Sequence, residues 1–225
     1  MTQVIRIDFV SDVSCTWCAV GLRNLEQALE NLGDVVEAEF HFHPFELNPD
    51  MPAGGQNLVE HLQEKYGWDE ARAHEVLAQI RCSGESVSID FQLDGTSRIY
   101  NTFNAHRLLH WAGLHGKQKT LKQALFSAHF TEGGDPGNHG LLIRLAETVG
   151  LDADEARRVL AGDAYAQEVQ AQEQSWRDAG VTAVPTVVFN QRYALTGAQP
   201  PAAFEQAIRR ALDDASAPTQ PGEAS

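Results

Sequence analysis

The chain is poor in cysteine and in basic residues, and it has no long apolar run. Three cysteines in 225 residues are too few to staple a small secreted scaffold. Only 17 Lys and Arg stand against 31 Asp and Glu, for a formal net charge of −14. A field of that sign repels phosphate backbones and anionic lipid, so nucleic acid and membrane surfaces are poor partners. No stretch approaches the ~20 apolar residues that span a bilayer. The first residues, Met1 to Asp8, lack the basic start of a secretory signal, and Asp8 breaks their apolar run. These absences lead us to expect a cytoplasmic protein, in a compartment where structural disulfides are uncommon. The length suits one sizeable core, or a small domain carrying a large insertion.

Two kinds of periodicity are present. Val4 to Val10 is apolar and β-branched and reads as a short, buried strand. Leu22, Leu25 and Leu29 give helical spacing from Thr16 to about Asn31, with Asn31-Leu32-Gly33 as a stop. Val35 to His43 alternates, with Val36, Ala38, Phe40 and Phe42 on one face. Strand, helix and strand in so short a span make a βαβ unit with parallel strands. From Leu58 to about Val169 the pattern is almost wholly helical, with an extended stretch near Val87 to Phe91. Asn138 and Asp152 read as N-caps. Strand character returns at Val184 to Phe189 and Tyr193 to Leu195, a hairpin, followed by a helix through Phe204, Ile208 and Leu212. The pattern predicts an α/β domain split in sequence, residues 1–53 and 176–214, around an inserted all-α domain, residues 54–175. The tail, 215–225, lacks large apolar residues and is expected to be disordered.

The chemistry concentrates at Cys15-Thr16-Trp17-Cys18. In a reducing compartment a C-x-x-C reads as redox chemistry or metal binding. Cys15 falls where a strand ends and a helix begins, where backbone N–H groups and the helix dipole favour thiolate over thiol. The thiolate is the form that attacks a disulfide. Cys18, one helical turn on, is placed to resolve the mixed disulfide. Trp17 offers a substrate chain an apolar surface. Pro185 opens a late strand that should lie beside the first one, which places Val184-Pro185 against the C-x-x-C. Cys82 reads as a small buried residue. The pairs His41/His43 and His106/His110 have ligand-like spacing, yet neither comes with the further ligands of a metal site, so structural roles are expected.

Several longer motifs accompany this pair: Asp12-x-x-Cys15-x-Trp17-Cys18, Pro44-Phe45-Glu46-Leu47-Asn48-Pro49-Asp50-Met51-Pro52, Asn101-Thr102-x-x-Ala105-His106-Arg107-Leu108, Leu125-Phe126-x-Ala128-x-Phe130, Val184-Pro185-Thr186 and Gly197-Ala198-Gln199. With them the chain resembles the DsbA family of thioredoxin-fold oxidoreductases, and within it the FrnE-like cytoplasmic branch. The resemblance implies a thioredoxin-like fold with an inserted helical domain. It also implies Cys15 as attacking and Cys18 as resolving cysteine of a protein disulfide oxidase, isomerase or reductase, and a cis peptide before Pro185 that shapes the substrate groove. Thr16 stands where the family commonly has proline, which bears on redox poise and the direction of electron flow.

The expected partners are protein or small-molecule thiols and disulfides. No resident cofactor or metal is expected, and glutathione is a candidate co-substrate. The rival within the fold is a glutathione-dependent enzyme similar to 2-hydroxychromene-2-carboxylate isomerase or kappa-class glutathione transferase. Those typically carry serine where this chain has Cys15. A zinc site built from Cys15, Cys18, Cys82 and a histidine is opposed by the lack of a second paired motif.

Overall fold

The first strand, β1 (Gln3–Ser11), sets Ile5, Ile7 and Phe9 on one face, and from Ile7 onward every residue is buried. The computed structural model, which describes residues 2–216, places β1 inside a four-stranded sheet. Helix α1 (Thr16–Leu32) follows and buries Leu22, Leu25 and Ala28 against the sheet. It stops where Gly33 takes φ 63°, a conformation that favours glycine. The chain then returns as β2 (Val36–Pro44), parallel to β1 with Gln3 opposite Val36 and Ser11 opposite Pro44.

On the other side of β1 lies the late hairpin, β5 (Thr186–Phe189) and β6 (Tyr193–Thr196), with β5 antiparallel to β1. The sheet order is β2-β1-β5-β6. Asn190 and Gln191 both adopt positive φ, 48° and 56°, the handedness a tight hairpin needs. The Asn190 side chain accepts from the Arg6 N–H at 3.0 Å, which ties the turn to β1. The last helix, α9 (Pro201–Ser216), packs Phe204, Ile208 and Leu212 into the same core. It runs through Ala215 and Ser216; the rest of the tail expected to be disordered lies outside the described residues.

Between the halves stand seven α-helices: α2 (Leu58–Tyr66), α3 (Glu70–Glu85), α4 (Phe103–Leu114), α5 (Gln118–Phe126), α6 (His139–Thr148), α7 (Ala153–Ala161) and α8 (Ala166–Asp178). The Asn138 and Asp152 side chains cap α6 and α7, accepting from Leu141 N–H and Glu155 N–H. Helices α4 to α7 close a second core around Leu108, Trp111, Leu121, Leu125 and Leu142, which Val13 joins from the loop after β1. The fold is thus a mixed α/β, thioredoxin-like core with an inserted all-helical subdomain.

Two local expectations fail. The stretch Val87 to Phe91 forms no strand, because the chain folds straight back on the end of α3. Val87 and Ile89 N–H groups both bond to Gly84 O at 2.9 Å. The return is so close that a Cβ on Gly84 would lie 2.4 Å from the Phe91 ring, so apolar burial there is achieved by a turn rather than a ladder. Second, the helical run is interrupted by a two-residue ladder of β3 (Gln56–Asn57) with β4 (Arg98–Ile99). Two residues are too few to carry an alternation.

Helix α5 is clamped to the α/β core at two places. The Gln118 side chain pairs with both backbone groups of Phe42 on β2, accepting from its N–H at 3.3 Å and donating to its carbonyl at 3.0 Å. Lys119 and Gln123 both reach Glu26 of α1, at 2.9 and 2.7 Å.

Candidate active site

Cys15 is the N-cap of α1, in extended conformation. Its sulfur accepts from the Cys18 N–H at 3.3 Å and its S–H donates to the Val184 carbonyl at 3.7 Å. The Val184–Pro185 bond is cis. Pro185 comes so near α1 that a Cβ on Gly21 would meet its ring at 3.0 Å, and the glycine makes room for it. The five residues predicted from sequence, Cys15, Trp17, Cys18, Val184 and Pro185, therefore gather around one helix end.

Both thiols are buried, and of the two only Cys15 keeps any exposed surface. Cys15 keeps 6% of its surface exposed, Cys18 none, and Trp17 beside them is 42% exposed. Both are free thiols. Burial, and then the neighbouring Cys15, push the Cys18 thiol well above its ordinary value. The arrangement presents one sulfur to an incoming group and holds the second in reserve behind it.

Cys15 also opens onto a cavity of about 180 Å³ under α2 and α3, walled by Leu58, Leu62, Leu77 and Ile80. Its polar lining includes Lys65, which donates to Leu47 O at 3.1 Å and Asn48 Oδ1 at 2.6 Å.

The description "DSBA-like thioredoxin domain" fits residues 6–209. The chain belongs to that family. Among curated relatives, the uncharacterized protein YwbO of Bacillus subtilis is 30% identical over 208 residues, covering 92% of this chain and 96% of its own. The crystal structure of a probable DsbA oxidoreductase from Streptomyces coelicolor superposes with a TM-score of 0.88 at 31% identity, covering 98% of this chain and 94% of that one. Two more distant structures share the fold. A 2-hydroxychromene-2-carboxylate isomerase has a TM-score of 0.73 at 15% identity, covering 94% and 98% of the two chains. The cytosolic disulfide reductase DsbM of Pseudomonas aeruginosa, solved with glutathione, has a TM-score of 0.60 at 17% identity, covering 92% and 99%. This DSBA-like domain thus carries a C-x-x-C pair positioned for redox chemistry.

Beneath the thiols of this DSBA-like domain lies a layer of buried charge that sequence patterns did not reveal. Asp12 is fully buried and accepts from Leu47 N–H at 2.8 Å, Ser14 N–H at 3.3 Å and the His106 ring at 3.4 Å. Burial pushes its carboxyl up, but His106, Leu47 and Thr102 outweigh burial and hold it well below the carboxylate range. Asp8, four residues earlier on β1, repeats the arrangement. Burial is overcome there by His43 at 2.8 Å and Arg6 at 2.7 Å, which also hold the carboxyl well down. His106 is therefore a structural partner of Asp12, and His43 of Asp8. Lys122, on α5, is buried on the same side.

Glu46 and Glu173 form a third element. Glu173 accepts from the Glu46 N–H at 2.8 Å, and Arg177 donates to the Glu46 carbonyl at 3.0 Å. Burial, then the negative charges of Glu173 and Asp12, push the Glu46 carboxyl up to about 8. A carboxyl raised on folding favours the fold below its unfolded pKa, and that contribution is lost as pH rises through the folded value. A Glu46→Gln variant should therefore melt above the parent at about pH 9, and the gap should shrink near pH 5. Melting curves at both pH values check this, and an equal gap at both would contradict the assignment.

Cys82 departs from expectation. It is exposed, because α3 buries Ala73, Leu77 and Gly84 and Cys82 falls on another face; it does not line the cavity. Gln118 and Lys122 were overlooked because they flank the apolar stripe of Leu121 and Leu125 and read as its solvated border. Their i, i+4 spacing on one face was the available signal.

Proposed function

We propose that the protein is a thiol–disulfide oxidoreductase of the FrnE-like cytoplasmic branch, working through the Cys15–Cys18 dithiol on protein or small-molecule disulfides. The observation that carries this reading is the asymmetry of the pair: Cys15 caps a helix, receives an N–H on its sulfur and lines the cavity, while Cys18 is fully buried behind it. The Cys15 thiolate attacks one sulfur of a substrate disulfide, forming a mixed disulfide and expelling one thiolate. Cys18 then loses its proton and attacks Cys15 sulfur. The Cys15–Cys18 bond forms, the substrate's second thiolate leaves, and the protein has given two electrons to the substrate. The reverse sequence oxidises a substrate dithiol. Trp17 and the backbone at Val184-Pro185 border the approach, and we assign them to substrate binding.

Glutathione is the co-substrate we assign to returning the dithiol to its starting state. Support comes from the DsbM structure, which shares the fold and was solved with glutathione. The rival isomerase or transferase reading has a fold relative as well, but it gives no task to a second, sealed thiol.

The test is equilibration with glutathione redox buffers, followed by tryptophan fluorescence at Trp17 and by thiol trapping. A reversible two-electron transition is expected. A potential of about −120 to −200 mV makes the protein an oxidase or isomerase, and one near about −270 mV a reductase. If no Cys15–Cys18 disulfide forms, or Cys15 only holds glutathione as a stable adduct, the reading is wrong and the glutathione-dependent rival takes its place.

A further inference from the structure

Disulfide exchange at Cys15 uses only the rim of the cavity under α2 and α3. The space behind that rim, about 180 Å³, suits one ring, since an apolar cavity of about 150 Å³ takes up benzene. Its walls are aliphatic on α2 and α3 and aromatic at Trp17, Tyr66 and Phe130. Tyr66 is stacked on Trp68, ring centroids 4.6 Å apart. One buried polar group also lines this space. His129 is 8% exposed, and its Nδ1–H donates to Gly134 O at 2.9 Å. That bond leaves Nε2 as the accepting nitrogen, and burial, which lowers the ring's pKa, keeps it neutral. Nε2 bonds to no protein group among the described residues. His129 stands in a π-helical turn, Ser127–Thr131, closed by a bond from Glu132 N–H to Ser127 O at 3.2 Å. Such turns recur at functional sites. A buried acceptor in an apolar cavity favours a ligand that brings a donor.

The charge of the walls narrows the ligand further. Lys65 and Arg98 line the cavity, and no Asp or Glu does among the described residues, although the chain has 31 acidic side chains against 17 basic ones. Lys65 spends two of its three N–H donors on Leu47 O and Asn48 Oδ1, which leaves one. These walls suit a neutral or acidic ring and oppose an ammonium.

We propose that the small-molecule substrate of Cys15 is a phenolic disulfide, or the matching thiol, whose ring enters this cavity and whose hydroxyl donates to His129 Nε2. The inference rests on the dithiol reading above and names its substrate class. The Cys15 thiolate attacks the sulfur on the ring, the substrate S–S bond breaks, the Cys15–S–aryl bond forms and one arenethiolate leaves. Cys18, losing its proton to solvent, then attacks Cys15 sulfur and expels the second arenethiolate. The substrate gains two electrons and the protein holds a Cys15–Cys18 disulfide.

The test is rapid mixing of the reduced protein with bis(4-hydroxyphenyl) disulfide, its 3-hydroxy isomer, bis(4-methoxyphenyl) disulfide and glutathione disulfide, with released thiol counted after quenching. Each rate is divided by that of N-acetylcysteine with the same disulfide, which removes differences in leaving group. At least one hydroxyphenyl compound should exceed glutathione disulfide by about 10-fold or more, the gain from burying a ring. It should exceed the methoxy compound by about 10-fold, and in His129→Phe that second gap should close to about 2-fold. Hydroxyphenyl compounds within about 2-fold of glutathione disulfide, or a hydroxyl preference that His129→Phe leaves intact, overturn the proposal. Should His129→Phe not fold, the parent's preferences decide alone, and a methoxy compound as fast as both hydroxyl isomers overturns it. A tyrosine-containing hexapeptide, dimerised through its one cysteine and as fast as the hydroxyphenyl compounds, would assign the cavity to protein side chains and overturn it as well. Failure of the dithiol reading looks different: one thiol is released per chain instead of two, whatever the order of rates.

Discussion

Exchange of Cys15 for serine is expected to cut disulfide exchange by at least about 10³-fold while leaving the fold intact. A serine hydroxyl needs a neighbouring base to act as a nucleophile at neutral pH. None is bonded to this position: the partners of Cys15 sulfur are the Cys18 N–H and the Val184 carbonyl. The N-cap geometry suits serine as well as cysteine, so the melting temperature should hardly move. Cys18→Ser gives the complementary result. Cys15 still attacks, nothing resolves the product, and a mixed disulfide accumulates that intact-mass measurement counts as one adduct per chain. Turnover of Cys15→Ser at a tenth of the parent rate would show that the chemistry does not run through this sulfur.

The second large effect is on stability. Asp12→Ala should lower the unfolding free energy by about 3–5 kcal/mol, the summed cost of leaving several buried hydrogen-bonding groups unsatisfied. The change strands the N–H groups of Ser14 and Leu47 and leaves the His106 ring buried without its acceptor. Asp12→Asn keeps an oxygen for the Leu47 N–H and should lose less. The sign of the pH dependence follows from the carboxyl being held low in the fold. Its contribution is present above the unfolded aspartate pKa of about 3.9 and fades as pH falls from there toward the folded value. Urea titrations of parent and Asp12→Ala should differ most near neutrality and converge in acid. A difference that stays constant into strong acid would mean that the side chain's packing, and not its charge, is what the fold needs.

The parts of this molecule that obey local rules were legible. β1, α1 and β2 follow from period and from Gly33, the α6 and α7 caps from Asn138 and Asp152, and the redox pair from its spacing. What was hidden is the polar layer under the thiols, because its members are remote in sequence: Asp12 and His106 are 94 positions apart, Glu46 and Glu173 are 127 apart. A polar residue flanked by apolar ones reads as surface until a tertiary partner is known, which is how Lys122 escaped notice. Cys82 erred in the other direction. Cysteine is often buried, but Cys82 falls on a face of α3 other than the one that buries Ala73, Leu77 and Gly84, and a composition preference cannot see that.

The carboxamide of Gln118 has a meaning for how the molecule avoids other copies of itself. β2 is an outer strand of the sheet, and the backbone N–H and carbonyl of Phe42 point outward from it, the kind of exposed pair from which edge-to-edge aggregation grows. Gln118 occupies both, imitating the rung that a neighbouring strand would supply. The inserted helices thus cap one rung of that border with a single side chain, and a Gln118→Leu change would leave the Phe42 N–H and carbonyl without that partner.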